Sequence, residues 1–488
     1  MSLSIAYNTA KSSLLASQSQ MATVSRNITG ASDPAYSRKI AALVTQGGAA
    51  RVVTLRASDA ALLSKMLETT SDAATQKALL EGLEKLSQTV GDTELDESLA
   101  ARVGALDNAI KQYANAPDNQ QYARAFVKAA NDMASSLNRA TNAVQAIRLE
   151  ADGKIADSVA RINDLLSKFE KVNQQVVSGT ALGVDVTDDL DVRDGLIAQL
   201  SEEIGVTVVP RAGGDVALYT DSGVPLFDRT PRAVEFDRTT VYDPTTTGFP
   251  VKIDGIQVTG AGALMPLNSG NLVGLVAIRD QVAVTYQRQL DELARGLIQA
   301  FAEEHQSDPL QPDLPGVFTF PGATGVSGPP AATGLAGTIM VTNEIDPTKS
   351  ATGKFENIRD GGINGVDYRY NPDVGNPAFS GRLFGLLGEM AKDRNFDPSL
   401  GLGAVISLQK FASGSASWVE SSRQSADQSL DYQNTLLGHA SEALSNATDV
   451  NVDDETALML QLEKSYSASA KLISVIDQML KTLLNAVG

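Results

Sequence analysis

The 488 residues include no cysteine, which excludes disulfide bonds, thiolate metal sites and cysteine nucleophiles. Histidine occurs only twice, as His305 and His439. Carboxylates stand near both, but neither has a second histidine or an H-E-x-x-H spacing to complete a ligand set. No paired-carboxylate or Ser-His-Asp pattern stands out either. We therefore expect no metal, no cofactor and no catalytic residue.

Long apolar runs and an excess of basic charge are also missing. No stretch of 18 or more residues is predominantly apolar, so we expect no membrane insertion. The first 30 residues lack a basic segment followed by a continuous apolar run, so we expect no cleaved Sec signal. The 40 Lys and Arg residues stand against 58 Asp and Glu residues, and the net charge of −18 argues against nucleic acid as a partner.

Each end of the chain carries an apolar stripe whose members are separated alternately by four and three residues, the spacing of a coiled-coil seam. The N-terminal seam consists of Leu3, Tyr7, Ala10, Leu14, Ser17, Met21, Val24 and Ile28. The C-terminal seam consists of Met459, Leu462, Tyr466, Ser469, Ile473, Ile476, Leu480, Leu483 and Val487. Leu472 and Met479 add a second apolar edge to the C-terminal helix, so one partner helix would not cover it.

Between the two ends, apolar periodicity predicts long helices and two β-rich stretches. The predicted helices cover residues 62–90, 94–115, 120–177, 415–447 and 453–487, and the β-rich stretches cover 206–258 and, less regularly, 309–376. We expect a mainly α protein with β-rich insertions, built as an elongated rod of long helices with paired terminal coiled-coil helices. The chain order makes the domains discontinuous. They are a terminal assembly domain (1–45 and 450–488), a helical shaft (46–205, 271–308 and 377–449), a β-meander (206–270) and a small outer module (309–376).

The segment "SRNITGASDPAYSRK" follows the N-terminal seam and breaks the helix with Gly30 and Pro34. Together with the C-terminal seam, it resembles the paired terminal segments of the bacterial flagellar axial proteins, the rod, hook and hook-associated family. The residues that correspond to the family motif are Ser12, Leu14, Gln18, Val24, Ser25, Asn27, Ile28, Tyr36, Ser37 and Arg38. Two positions depart from the family pattern. Arg26 stands where Asn is usual, and Ala35 stands where Gly usually precedes Tyr36, so this turn either needs no positive φ or bends differently.

Two internal segments resemble the hook-associated branch that joins hook to filament. In one, a helix with Asp191, Arg193 and Asp194 leads into strands, and the other is the helix of "NLVGLVAIRDQVAVTYQRQLDELARGLIQAF". The resemblance implies a non-catalytic, extracellular structural subunit that is exported by the flagellar type III apparatus. The implied partners are further copies of the chain, the neighbouring hook protein and second junction protein, and a cytoplasmic export chaperone. The alternatives are a distal rod or hook subunit, or a secreted stalked adhesin or enzyme.

Candidate site residues follow from the seams and from the resemblance. For assembly and chaperone binding, the C-terminal candidates are Leu458, Leu462, Tyr466, Ile473, Ile476, Leu480 and Leu483. For assembly, the N-terminal candidates are Leu3, Tyr7, Leu14, Met21, Val24 and Ile28. The family turn motif consists of Asn27, Ile28, Tyr36, Ser37 and Arg38. The periodicity alone leaves open whether the seams form an intramolecular core or wait for neighbouring subunits.

Overall fold

A computed structural model describes residues 3–46, 49–90, 98–373 and 375–487. The fold is mainly α, as predicted, and its long helices make it elongated. The helices are α1 (Leu3–Gly30), α2 (Ala60–Val90), α3 (Leu99–Asn115), α4 (Gln120–Leu182), α5 (Thr187–Glu203), α6 (Asn271–Ala277), α7 (Ala283–Ala300), α8 (Leu335–Thr338), α9 (Glu356–Asp360), α10 (Gly381–Ala391), α11 (Leu408–Thr448) and α12 (Val452–Val487). A π-helical turn, Ile278–Val282, joins α6 to α7.

The strands form small antiparallel sheets. They are β1 (Lys39–Gln46), β2 (Ala49–Arg56), β3 (Val206–Pro210), β4 (Val216–Thr220), β5 (Pro225–Asp228), β6 (Thr230–Pro231), β7 (Val234–Glu235), β8 (Lys252–Ile253), β9 (Ile256–Gln257), β10 (Phe318–Thr319), β11 (Met340–Val341), β12 (Arg394–Asn395) and β13 (Val405–Ile406). The described sheets have the orders β1-β2, β3-β4-β5-β6, β7-β8-β9, β10-β11 and β12-β13. The predicted β-rich stretch at 206–258 thus contains two sheets, joined in chain order.

Helix α4 is the longest element, with 63 residues, which corresponds to about 95 Å at 1.5 Å per residue. It begins where the side chain of Asn119 accepts a hydrogen bond from the backbone N–H of Gln121. It ends at Gly183, which has a φ of 68°, a left-handed conformation that glycine adopts without steric cost. The predicted helix at 120–177 is confirmed, and it continues for five residues beyond the predicted end.

Two apolar clusters lie along α4. One includes Phe126 and Leu137 of α4 and is completed by α2, α3, α7, α10 and α11. The other includes Ile155 and Phe169 of α4, together with α5, α6 and strands β4 and β5. In that cluster the ring of Phe169 meets Phe227 edge to face, with 4.9 Å between centroids. The shaft helices therefore enclose two apolar clusters, and neither includes a described residue of α1 or α12.

Residues 309–376 pack on the shaft helices. Phe318, Ile339 and Ile358 belong to the same apolar cluster as α4 and α7. The buried Asp291 carboxylate on α7 accepts hydrogen bonds from the backbone N–H groups of Gly334 and Ala336, at 2.9 and 2.8 Å. The sequence left open whether residues 338–341 join the shaft, and these contacts place β11 against it.

The hairpin of β1 and β2 was not predicted. Its strands pair in register from Lys39 with Arg56 to Gln46 with Ala49. The predicted boundary between terminal domain and shaft, at residue 45, falls inside β1. Short apolar, β-branched-containing runs on both sides of Gly47 and Gly48 are a sequence signal for such a hairpin. None of the helices in the described ranges is long and apolar enough to cross a membrane.

Candidate functional site: the paired termini

The first and last helices pack against each other over much of their length. The contact is antiparallel, because Asn27 near the end of α1 meets Glu455 near the start of α12, while Ser13 meets Ser469 further along. The hydroxyl oxygen of Ser469, the polar member of the C-terminal seam, lies 3.2 Å from that of Ser13, which precedes the seam residue Leu14. The N-terminal and C-terminal seams thus face each other within one chain.

The seams are only partly buried. In the C-terminal seam, Leu462 and Ile476 are 8% and 6% exposed, whereas Leu483 is 54% exposed. Ile473 is half-buried, and Leu458, Tyr466 and Leu480 lie at the edge of the contact, each between 36% and 38% exposed. The burial therefore falls off toward the free end of α12.

In the N-terminal seam, Tyr7 is the exposed member among the side chains that the structure describes. Ala10, Ser17 and Val24 are buried, and Leu14, Met21 and Ile28 are half-buried. The side chain of Leu3 lies outside the part of the chain whose side chains are described. The pair is therefore closed at the end of α1, next to the shaft, and open at the opposite end.

A second apolar edge of α12 faces away from α1. Leu472, Val475 and Met479 are each between 51% and 55% exposed. Their spacing of three and four residues places them on one side of the helix. Exposed apolar side chains in such a strip contribute burial free energy only when another surface covers them, so the strip is typical of an interaction site.

Asn27 is the centre of a hydrogen-bond network at the closed end. Its side-chain oxygen accepts from the backbone N–H of Lys39 and from the Tyr36 hydroxyl, both at 2.9 Å. Its side-chain nitrogen donates to the Lys39 carbonyl at 2.8 Å and to Glu455 Oε2 at 3.0 Å. Both donors and both acceptor lone pairs of this 1% exposed amide are thus used, which fixes its orientation.

Glu455 ties the C-terminal helix to the N-terminal segment. The sequence places this carboxylate in the first turn of α12, where it meets the positive end of the helix dipole. In the structure it is also buried and accepts from Arg38 Nε at 2.7 Å. The backbone N–H of Arg38 donates in turn to the carbonyl of Thr448, at 2.7 Å. The turn motif therefore contacts both sides of the break between α11 and α12.

Lys39 ties the same network to the shaft. Its side chain is fully buried, and its ammonium group pairs with Asp191 and donates to the Thr187 carbonyl at 3.0 Å. Arg56, directly opposite Lys39 in the hairpin, pairs with Asp191 at 3.1 Å and with Asp194. Two of the three charged residues singled out in the internal motif thus hold the hairpin. The third, Arg193, turns inward and donates to the Gly214 carbonyl at 2.6 Å.

Arg26, which departs from the family pattern, makes a further link to the shaft. Its guanidinium pairs with Asp188 at 2.7 Å and with Asp185 at 3.1 Å, in and beside the turn before α5. Burial alone would raise the pKa of Asp185, but hydrogen bonds from Thr187 and Arg26 outweigh it and hold the pKa below its ordinary value of 3.8. The carboxylate is therefore charged at neutral pH.

Gly30 and Tyr36 pack against each other in the turn that follows α1. A β-carbon at Gly30 would lie 2.7 Å from the ring of Tyr36, so the ring occupies the space that a side chain would need. Burial raises the pKa of Tyr36 to about 12, and the hydroxyl remains a donor to Asn27 at neutral pH. Ala35 does not have a positive φ, so this turn does not require glycine there.

The sequence motifs identified most of the residues that meet at the closed end, but not their joint network. Asn27, Tyr36, Ser37 and Arg38 all contact it, and the backbone N–H of Ser37 donates to Asp191 at 3.3 Å. Lys39, Arg56 and Glu455 were not identified as site residues. A buried lysine and a buried carboxylate leave no signal in a single sequence, because their partners lie more than 100 residues away.

Of the two histidines considered for metal binding, His305 has protein partners, and His439 is exposed on α11. His305 Nδ1 accepts from the backbone N–H of Asp308 at 2.9 Å, and the His305 ring meets Tyr368 edge to face. No group of three potential metal ligands occurs among residues with described placement. A cleft of about 1,100 Å³ is lined by Arg148 and Arg279, but both donate to backbone carbonyls and so hold the loop around residues 243–249 on α4.

Two family models match this chain. The model described as the flagellar hook-associated protein FlgK helical domain matches residues 83–313. The model described as the flagellar basal body rod FlgEFG protein C-terminal matches residues 442–486, which include almost all of α12. The first match covers most of the shaft and the 206–270 region, and the second covers the C-terminal seam.

Known proteins are similar over longer spans. Flagellar hook-associated protein 1 of Bacillus subtilis is 21% identical over 429 residues, which are 83% of this chain and 79% of that protein. Flagellar hook-associated protein 1 of Salmonella typhimurium is 22% identical over 314 residues, 61% of this chain and 56% of that protein. The solved structure of the flagellar hook junction protein FlgK from Burkholderia pseudomallei has a TM-score of 0.58 at 13% identity. It covers 78% of this chain and 99% of that one, and it shares the fold.

Proposed function

We propose that this chain is a member of the flagellar hook-associated protein 1 family and a structural, non-catalytic subunit of the junction between the flagellar hook and filament. The observation that carries the proposal is the pairing of α1 with α12. The pair is fixed to the shaft at one end by the Asn27 network, and it leaves apolar side chains uncovered toward the other end. A distal rod or hook subunit would not explain the match to the helical domain.

The uncovered apolar residues give a physical reason for assembly. Ordering the free ends of two helices costs conformational entropy, which burial of only part of each seam offsets poorly. A neighbouring subunit that covers Leu472, Met479 and Leu483 would add apolar burial of about 25 cal/mol per Å². The open end of the pair would then be ordered on incorporation, while the closed end is already held in the unassembled chain by buried hydrogen bonds and ion pairs.

Export through the flagellar type III apparatus, with a cytoplasmic chaperone on the C-terminal helix, is the finer part of the proposal. The pairing of α1 with α12 limits when a chaperone could bind the C-terminal seam. Leu462 and Ile476 face α1, so a chaperone that covers the C-terminal seam must bind before α1 docks or displace it. Chaperone binding and helix pairing are then mutually exclusive.

The chaperone proposal is tested with the full chain and the purified export chaperone by calorimetry. The double change Leu462→Asp with Ile476→Asp should abolish binding, while Leu460→Asp, on a different side of α12, should not. Loss of binding with Leu460→Asp alone would place the chaperone on another face.

The assembly role is tested in a strain from which the gene has been deleted. We expect hooks without attached filaments, filament protein released into the medium, and recovery of motility when the full chain is supplied. Labelled chain should lie at the boundary between hook and filament in electron micrographs. Normal filaments in the deletion strain would contradict the proposal.

A further inference from the structure

The hairpin of β1 and β2 has one face that nothing in the described chain covers. In an antiparallel pair, residues directly opposite each other lie on the same face. The register pairs Ile40 with Leu55 and Ala42 with Val53, and Val44 follows on the same face of β1. The four large side chains of this set are between 37% and 52% exposed. We call Ile40, Ala42, Val44, Val53 and Leu55 the outer hairpin face.

The opposite face is directed toward α1 and the shaft. It begins with Lys39 and Arg56, which pair with Asp191, and continues with Ala41 and Thr54, which are half-buried. Further along, this face is no longer covered, because Leu43 is 54% exposed. Both strands pack against α1. A two-stranded hairpin is marginally stable by itself, and an outer face composed of apolar side chains is a surface for another chain.

The shape of the outer hairpin face fits one helix. Two strands lie about 4.8 Å apart, and five residues extend for about 17 Å, so the face is long and narrow. A helix about 10 Å across, laid along it, covers it fully. Such a helix needs a strip of apolar residues that its own molecule leaves uncovered.

The second apolar edge of α12 is such a strip. Leu472, Val475 and Met479 lie on one side of the helix, outside the seam that faces α1. On α1, by contrast, the exposed large apolar residues Ile5, Tyr7 and Leu15 form no strip with helical spacing. The α12 strip is therefore the better counterpart of the outer hairpin face.

The two surfaces belong to one chain but do not cover each other. The hairpin and α12 both pack on α1 rather than mainly on each other, so the α12 of the same molecule does not cover the outer hairpin face. We propose that the outer hairpin face of one copy binds the second apolar edge of α12 in a neighbouring copy. Because two different surfaces meet, the contact is heterologous and repeats into a ring or a tube. This inference rests on the assembly role proposed above.

The absence of cysteine allows a direct test by cross-linking in flagella. Cells co-express a tagged copy carrying Val53→Cys and an untagged copy carrying Val475→Cys, and isolated flagella are treated with a short bis-maleimide. We expect a cross-linked heterodimer. The matched control replaces Val53→Cys by Val405→Cys, an exposed valine in the other short hairpin of β12 and β13, and should give none.

Cross-linking of Val53→Cys only to itself, or only to Leu15→Cys on α1, would overturn the inference and leave the assembly role intact. Absence of both copies from flagella would overturn the assembly role itself. The two failures are therefore distinguishable.

A charge in the outer hairpin face gives a second test. Val53→Asp should lower incorporation at least about tenfold, because a carboxylate would be buried without a partner. Val53→Ile and Val405→Asp should incorporate like the unchanged chain. Circular dichroism of the purified monomers should be the same for all of them, since both valines are exposed. Normal incorporation of Val53→Asp would overturn the inference.

Discussion

The side-chain amide of Asn27 donates a hydrogen bond of 3.0 Å to Glu455, across 428 residues of sequence. The bond is buried at both ends and joins the last turn of α1 to the first turn of α12. It holds the ends of the chain together by a polar contact, independently of the apolar seams. A directional hydrogen bond thus holds the closed end of the terminal pair, in addition to the burial of apolar side chains.

We predict that Asn27→Asp opens this end. The new carboxylate cannot donate to Lys39 or Glu455, and it repels Glu455, so about 1–3 kcal/mol of local stability should be lost. Amide hydrogen exchange should become faster at residues 27–39 and 449–456, with little change in α4. The control Asn8→Asp, on the exposed surface of α1, should change neither region. Unchanged exchange at residues 27–39 would mean that the network does not hold the termini.

We predict a larger effect for Lys39→Met. The substitution removes the cation that pairs with Asp191 in a fully buried position, and breaking such a pair costs about 3–5 kcal/mol. Arg56 still reaches Asp191, so the loss should be at the low end of that range. Denaturant unfolding is the measurement, and Lys11→Met on the exposed side of α1 is the control. The double variant Lys39→Met with Asp191→Leu should regain part of the loss, and additive losses would argue against a coupled pair.

The sequence predicted the long helices well because their signals are local. Apolar periodicity and caps such as Asn119 and Gly183 fix where α4 lies. The seams also faced each other as the heptad spacing suggested. The hairpin and the Lys39–Asp191 pair were missed, because burial of a charge depends on a partner 152 residues away. Arg26 was noted only as a departure from a pattern, and its carboxylate partners became evident only from the fold.

Gly30→Ala should be destabilising by about 1–3 kcal/mol, because the new methyl group would overlap the ring of Tyr36. Gly438→Ala is the matched control, since Gly438 lies within α11 and a β-carbon there meets no atom within 4 Å. That change should stabilise the chain by about 0.5–1 kcal/mol through helix propensity. Thermal unfolding measures both. Equal effects of the two substitutions would show that Tyr36 does not restrict position 30.

The link between Arg26 and Asp185 should depend on pH. The folded-state pKa of Asp185 lies below its ordinary value of 3.8, so its contribution to stability is present above that value and is lost as the pH falls through the lowered pKa. Unfolding free energies of the unchanged chain and of Arg26→Gln should therefore differ at neutral pH, and the part of the difference that Asp185 contributes should be lost as the pH falls through its lowered pKa. A difference that persists in acid would assign the effect of Arg26 to packing.

The double change Ile476→Asp with Leu480→Asp tests the terminal pair as a whole. Ile476 is buried against α1 and Leu480 lies at its edge, so two carboxylates there should separate α1 from α12. The shaft has its own apolar clusters and should retain its helicity by circular dichroism. Incorporation into flagella should fall below about one tenth of that of the unchanged chain. The control carries the same two charges at the exposed Leu264 and Leu310 and should incorporate normally. If the double variant instead unfolds the entire monomer, the seams are part of the folding core, and the assembly role assigned to them is wrong.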